Sequence, residues 1–566
     1  VIYGFFGLYV LGFLWGALGG AGTAFPAVAT ADQLRGIFRP ILWVFACWLA
    51  LAAFYLIFDA WEADHADSTW KRHESLLYWF DTDWLQALVA LLALCALDLW
   101  DRRFAKAREL AALAIGGALA GAMLFWIASL TGLAQVLGWL LVQPQGHLPT
   151  LLALPENAGV SEEAIRATLL NNWPNFLAQH PGHSGWIAGL VLGVAVYFLR
   201  RGEFRGMTGL LAAMAAGWLL AFLAGPVLLG FGGAGLRMTP PRGDNWAGLV
   251  GVVGGLLWWT ARHQLRPVAH AALLCGTVGG LGFAGAAFLK LCLVSLGNPA
   301  LTSDAGTVAA WQHWQQSNWH SFLEQTYGLF NGLGVALVLW VIARRQPVAE
   351  ALPPATRSTK VLAVAFTLFA VTGLNIQKSV GTWVDAGSVP DIMAMPLVSG
   401  VALSAYAWFL VVYLGFCAVG MALLWRHLRR PIAFIPPDPV GKGQLYFLVL
   451  LWMVVVMNFE RALPGFAAGR LLTEGVIFVN AIAATALILV WAPAREAAAP
   501  AGPAQWRLGR AVVACAMAAL LGTAGFSLGI RAIYGDAPAG HASRQVRFGD
   551  DAVWKTKPLQ RGKQHS

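Results

Sequence analysis

The chain has 566 residues, 58% of them hydrophobic and 12% charged, with a mean hydropathy of +0.63. Soluble domains carry about 25% charged residues; half that share, with apolar runs recurring along the whole length, excludes an ordinary soluble multidomain protein. The net charge of +10 does not call for nucleic acid, because cytoplasmic loops of membrane proteins are enriched in Lys and Arg.

Fourteen runs, near 4–29, 41–58, 79–97, 109–131, 185–199, 207–231, 246–261, 268–296, 326–343, 361–375, 397–425, 445–458, 473–492 and 511–530, are candidate membrane helices. Those at 185–199, 246–261, 361–375 and 445–458 fall short of the ~20 residues of a full crossing, and flanking Trp and Tyr are expected to complete them at the interface. The runs do not alternate with the ~10-residue rhythm of an outer-membrane barrel, so strands are not expected. The expected fold class is all-α, a polytopic integral membrane helical bundle of about 14 transmembrane helices with repeated two-helix hairpins. The six cysteines lie in apolar runs without CxxC spacing and read as small buried hydrophobes.

Loop charge alternates along the chain. The loops at 33–40, 98–110, 200–206, 262–267, 344–360, 426–444 and 493–510 hold 22 of the 38 Lys and Arg, whereas the opposite set holds 8. The positive-inside rule makes the first set cytoplasmic. It places the N-terminus outside with no helix before it, so an upstream helix is missing or the first span is miscounted; no charged n-region or cleavage site suggests a signal peptide. The polytopic domain is expected over 1–530, followed by a basic extracytoplasmic tail over 531–566.

Segments 180–201, 242–262 and 317–345 share one plan: a polar, Trp-bearing outer entry, a glycine-bearing helix and an arginine cluster. Residues 81–103 form a weaker copy, and each is followed by a second helix rich in small residues. This suggests parallel hairpin repeats at 81–140, 180–235, 242–297 and 317–375, a kind of repetition common among transporters. Gly276, Gly279, Gly280, Gly282 and Gly285 are expected to allow close helix packing.

Polar groups at the outer entries are the candidate substrate-binding residues. TPPRGDNW places Arg237, Arg242, Asp244, Asn245 and Trp246 at the mouth of a hydrophobic run. An interfacial anchor explains them as Trp at headgroup level with Asp or Asn as helix cap; anion binding or a salt-bridged pocket explains the arginines. Lys290 is the one Lys or Arg inside an expected span, so it either snorkels or meets a charge partner, with Glu324 the nearest candidate by topology. SNWHSFLEQTYG adds Asn318, Trp319 and Glu324, groups suited to stacking and hydrogen bonding but also to an aromatic belt. The HPGH at 180–183 reads as loop structure rather than a metal site, and no metal ligand set is expected. The acidic loop 58–74 offers a carboxylate for a membrane transferase, or is simply solvated. No Walker A, HExxH, GxSxG or EF-hand pattern occurs in the sequence.

The expected function is a transporter- or channel-like bundle handling a polar or anionic solute from the extracytoplasmic face. The alternatives are a membrane-embedded glycosyl- or acyltransferase acting on an outer-surface or lipid-linked acceptor, and a scaffold subunit of a membrane complex. Whether the protein is an enzyme stays open, and no cofactor is indicated. The partners expected are the lipid bilayer and a neighbouring membrane subunit engaged by the tail, not nucleic acid, in a bacterial-type inner membrane.

Overall fold

The computed structural model describes residues 2–28, 39–47, 50, 83–101, 106–130, 181–201, 208–231, 243–263, 265–315, 319–345, 380–385, 389–395, 400–435, 439–460, 468–490 and 507–535. The expected span 361–375, the acidic loop 58–74 and the tail beyond 535 lie outside these residues.

The described chain is mostly helical, with α1 (Ile2–Val28), α2 (Asp83–Asp101), α3 (Ala107–Leu130), α4 (Pro181–Arg201), α5 (Thr208–Phe231), α6 (Gly243–Arg262), α7 (Arg266–Ser295), α8 (Ala305–Gln315) and α9 (Trp319–Arg345). A short α10 (Gly381–Asp385) leads into strands β1 (Ile392–Ala394) and β2 (Ala402–Ser404), and α11 (Ala405–Arg429), α12 (Pro439–Glu460), α13 (Ala468–Val490) and α14 (Leu508–Tyr534) complete it. In lipid the backbone must satisfy its own polar groups, and a helix does so within a single segment. Six helices are long and apolar enough to cross a membrane by length and composition: α1, α3, α7, α9, α11 and α14. Apolar stretches of α4, α5, α12 and α13 are shorter. These helices fit an integral membrane protein, while the expected count of about 14 spans is not reached among the described residues.

Two further expectations are corrected. A small antiparallel hairpin is present, with Ile392 opposite Ser404 and Ala394 opposite Ala402. Its turn uses Gly400 at φ 84°, a left-handed backbone that glycine adopts without a Cβ penalty. The run at 397–425 had been read as continuous span; α11 instead begins at Ala405, where Ser404 accepts a bond from the Ala407 N–H at 3.4 Å as N-cap. At the other end, α14 continues to Tyr534, so Arg531 belongs to its last turn rather than to the tail.

The chain divides into two compact units. Unit 1 comprises 1–280, 505–523 and 543–566; unit 2 comprises 281–504 and 524–542. In unit 1, helices approach until backbones touch. A Cβ on Gly189 of α4 would lie 1.9 Å from the Gly117 carbonyl oxygen of α3, and one on Gly121 would lie 1.9 Å from the Gly185 oxygen. The partners run in opposite order, so α3 and α4 are antiparallel. The same contact joins α5 and α6, where a Cβ on Gly251 would lie 1.9 Å from the Gly217 oxygen. In α1, a Cβ on Gly16 or Gly20 would come within 2.5 Å of the backbone of α7.

Unit 2 is built from side chains. Val380, Trp383, Val389, Trp408, Phe409, Tyr413, Cys417 and Met453 form one buried cluster beneath the hairpin, and the Trp408 indole N–H donates to the Ala394 carbonyl at 3.0 Å. A second cluster, Val455, Ile477 and Ala481, joins α12 to α13. Glycines in this unit receive rings: a Cβ on Gly282 of α7 would strike Phe330 of α9 at 2.3 Å.

Candidate functional site

Lys290 lies near the end of α7 and is only 4% exposed, so its side chain is enclosed by protein rather than extended past the helix end. It shares a helix face with Phe283, seven residues earlier, and Val294, four residues later. Both neighbours hold α9: Phe283 meets Tyr327 edge-on at 4.9 Å, and Val294 packs with Trp319 and Phe322, a cluster that also takes in Val476 of α13. Other side chains of this stretch meet α14. Phe288 stacks on Phe526 at 5.3 Å, and the Tyr534 hydroxyl donates a buried 2.6 Å bond to the Leu291 carbonyl. Lys290 is thus set in a stretch of α7 fixed by α9, α13 and α14. An ionisable side chain at such a position is costly on insertion scales, by about 2.5–3.5 kcal/mol, and characteristically pairs with polar groups or lines a pathway.

The surrounding helices bring neutral polar groups. Thr326, one turn past Phe322 on α9, is buried. Asn331 follows Phe330 on α9, and its Oδ1 is a buried atom with no hydrogen-bond partner; the Nδ2 of Asn480, one turn past Val476 on α13, is in the same condition. A desolvated amide atom without a partner costs roughly 1–3 kcal/mol, so each is a group that a bound partner could satisfy. The ammonium on α7, the hydroxyl and amide on α9 and the amide on α13 are each donors or acceptors of a kind that a polar or anionic solute uses.

The segment after α7 folds back over its end. Gly297 has no room for a Cβ, which would lie 2.0 Å from that of Trp311 on α8. Asn298 is buried, and its side-chain oxygen accepts from the Ala300 N–H at 2.9 Å. Asp304 caps α8, accepting from the hydroxyl and N–H of Thr307 and from the Gly306 N–H. These bonds, the Thr307 hydroxyl first, hold its carboxyl below the ordinary value of 3.8.

The sequence-derived candidates fall in different places. Arg237, Arg242 and Asn318 lie outside the described residues. Asp244, Asn245 and Trp246 form the first turn of α6, in unit 1. Lys290, Trp319 and Glu324 belong to α7 and α9, which meet in unit 2. Trp319 is buried and packs edge-on against Phe322 at 5.3 Å, which makes it part of the wall, while Glu324 is exposed. His183 lies in the first turn of α4 rather than in a loop. Asn331, Asn480 and the buried Asp98 of α2 were not singled out from sequence; the only available signal was an amide or carboxylate inside or just beyond an apolar run. No protein-family model, curated protein or solved structure matches the chain.

Proposed function

We propose that the protein is a transporter-like membrane bundle that handles a polar or anionic solute from the extracytoplasmic face, with Lys290 as the charged group of the site. The observation that carries this reading is the burial of Lys290 in the stretch of α7 that packs on α9 and α13, two helices that carry the unsatisfied Asn331 and Asn480 amide atoms. Intramembrane ionisable residues characteristically mark solute or ion pathways. Buried amides without partners are groups that a bound solute can satisfy. The charge pattern of the loops supports the outside assignment of the α7–α9 connection.

The test uses purified protein and a panel of small organic anions, inorganic anions and sugars, read by thermal shift and then by uptake into proteoliposomes. A stabilising solute is expected to be an anion or polyol, to be taken up, and to lose at least tenfold in affinity with Lys290→Gln. A variant that unfolds at the wild-type temperature and responds identically across the panel would overturn the assignment.

A further inference from the structure

The end of α11 carries a second polar feature, independent of the solute reading. Residues 422–434 read ALLWRHLRRPIAF. Arg426, Arg429 and Arg430 are all exposed; the i, i+3 spacing puts Arg426 and Arg429 on one side of the last turn, and Arg430 follows as the extended C-cap. The Arg429 guanidinium carbon stands 4.6 Å over the Trp425 ring. Pro431 stops the helix, and the buried His427 accepts at Nδ1 from the Ile432 N–H at 3.1 Å. That bond folds the chain so that Ile435 is buried while Phe434 stands 80% exposed.

Arginines at a helix C-terminus complement its dipole, which accounts for their sign. It does not account for the apolar groups displayed among them. Trp425 and Leu428 are each more than half exposed, and with Leu414 and Met421 they form a stripe at helical spacing along the exposed side of α11. A 25-residue helix is about 37 Å long, beyond the ~30 Å of a bilayer's hydrocarbon core, so its last turn reaches headgroup level. Unit 1 repeats the device at the end of α6, where the Arg262 guanidinium lies 5.7 Å over the Trp258 ring four residues before it, with Arg266 exposed nearby in sequence.

We propose that the end of α11 is a docking site for an anionic phospholipid. Its phosphodiester sits among Arg426, Arg429 and Arg430, its acyl chains lie along Leu428, Trp425, Met421 and Leu414, and Phe434 enters the same interface. Charge complementarity selects the headgroup, and the apolar stripe requires that the anion come attached to a lipid chain.

The experiment is native mass spectrometry of the full chain in neutral detergent, titrated with phosphatidylglycerol or phosphatidylcholine. Phosphatidylglycerol is expected to be retained and phosphatidylcholine not. Each arginine removed should weaken retention about fivefold, the factor that one basic group near an anionic surface supplies. The triple change R426Q/R429Q/R430Q should therefore lower the number of retained lipids by one, any held at the end of α6 remaining, while R507Q/R510Q at the start of α14 leaves that number unchanged. If the triple variant aggregates, Arg426→Gln and Arg430→Gln are read singly, each with its elution profile as the folding check. Equal retention of the two lipids, no loss in the folded variants, or equal loss in the α14 control would overturn the site. So would displacement of the lipid by millimolar glycerol phosphate or inorganic phosphate, which would identify a site for soluble anions.

Discussion

The two units differ in how their tightest helix pairs meet. In unit 1, α3 against α4 and α5 against α6 bring backbone onto backbone, glycine facing glycine. In unit 2, α7 meets its neighbours through rings and hydroxyls: Phe283 on Tyr327, Phe288 on Phe526, Tyr534 on the Leu291 carbonyl. Lipid supplies no hydrophobic drive between helices, so close van der Waals contact and interhelical hydrogen bonds must hold them. Backbone contact gives a fixed spacing that leaves no space for a solute. Side-chain contact fixes α7 through rings and hydroxyls instead, and Lys290 is buried in that stretch. The candidate Lys290 lies in the side-chain-packed unit.

The largest expected effect lies in the backbone-packed unit. Gly189→Val sets a branched side chain against the α3 backbone, which has no rotamer to yield. Overpacking in a tight interior costs about 1–3 kcal/mol and more where nothing can move, so loss of monodisperse protein is expected. Gly116→Ala is the internal control. Gly116 neighbours the critical Gly117 but has nothing within 4 Å of its Cβ position, so alanine there should be neutral or stabilise the helix by up to about 1 kcal/mol. Equal behaviour of the two variants in size-exclusion and thermal-unfolding measurements would remove the distinction between the units.

A smaller effect is expected in unit 2. Tyr534→Phe removes one buried hydroxyl bond while keeping the ring, and leaves the Leu291 carbonyl with only its helical partner. The loss should be about 1 kcal/mol, appearing as faster amide exchange in 524–535 with the fold intact. Global unfolding from this single change would show that unit 2 is as brittle as unit 1.

How much of this the sequence revealed depends on what kind of signal each feature leaves. Apolar runs announced twelve of the described helices, six of them long and apolar enough to cross a membrane. Their ends were missed by several residues where polar or aromatic flanks continue the helix, as at Trp319–Arg345 against the expected 326–343. The hairpin before α11 was hidden because a three-residue strand is too short to leave a periodic signal: β1 falls in the expected loop 376–396 and β2 inside the expected span 397–425. Lys290 was legible as a lone charge. Its enclosure was not, since that depends on helices from distant parts of the chain. Asn331 and Asn480 were single amides in apolar runs, and nothing local distinguishes a solvated amide from a stranded one. At the end of α11 the arginines carry only a topological signal in the sequence, and the four-residue spacing to Trp425 gains meaning only when Arg429 is placed over the ring.

The smallest expected effect is local and pH-dependent. Asp304 is exposed, and its carboxylate is stabilised in the folded state by the Thr307 hydroxyl and by the first N–H groups of α8. Its folded value lies below 3.8, so the unfolded state binds the proton more readily. The contribution to the start of α8 is therefore complete above the unfolded value and is lost as pH falls through the folded one. Amide exchange across 305–315 should quicken relative to neighbouring segments only when the pH drops below about 3.8. Asp304→Asn keeps a capping acceptor but removes the charge, so it should flatten that pH response while leaving exchange at neutral pH little changed. Asp304→Ala removes both and should raise exchange at every pH. If Asp304→Asn keeps the acid-induced rise, the response belongs to another group. The turn that folds α8 back over the end of α7 would then owe its stability to the Gly297–Trp311 contact rather than to its cap.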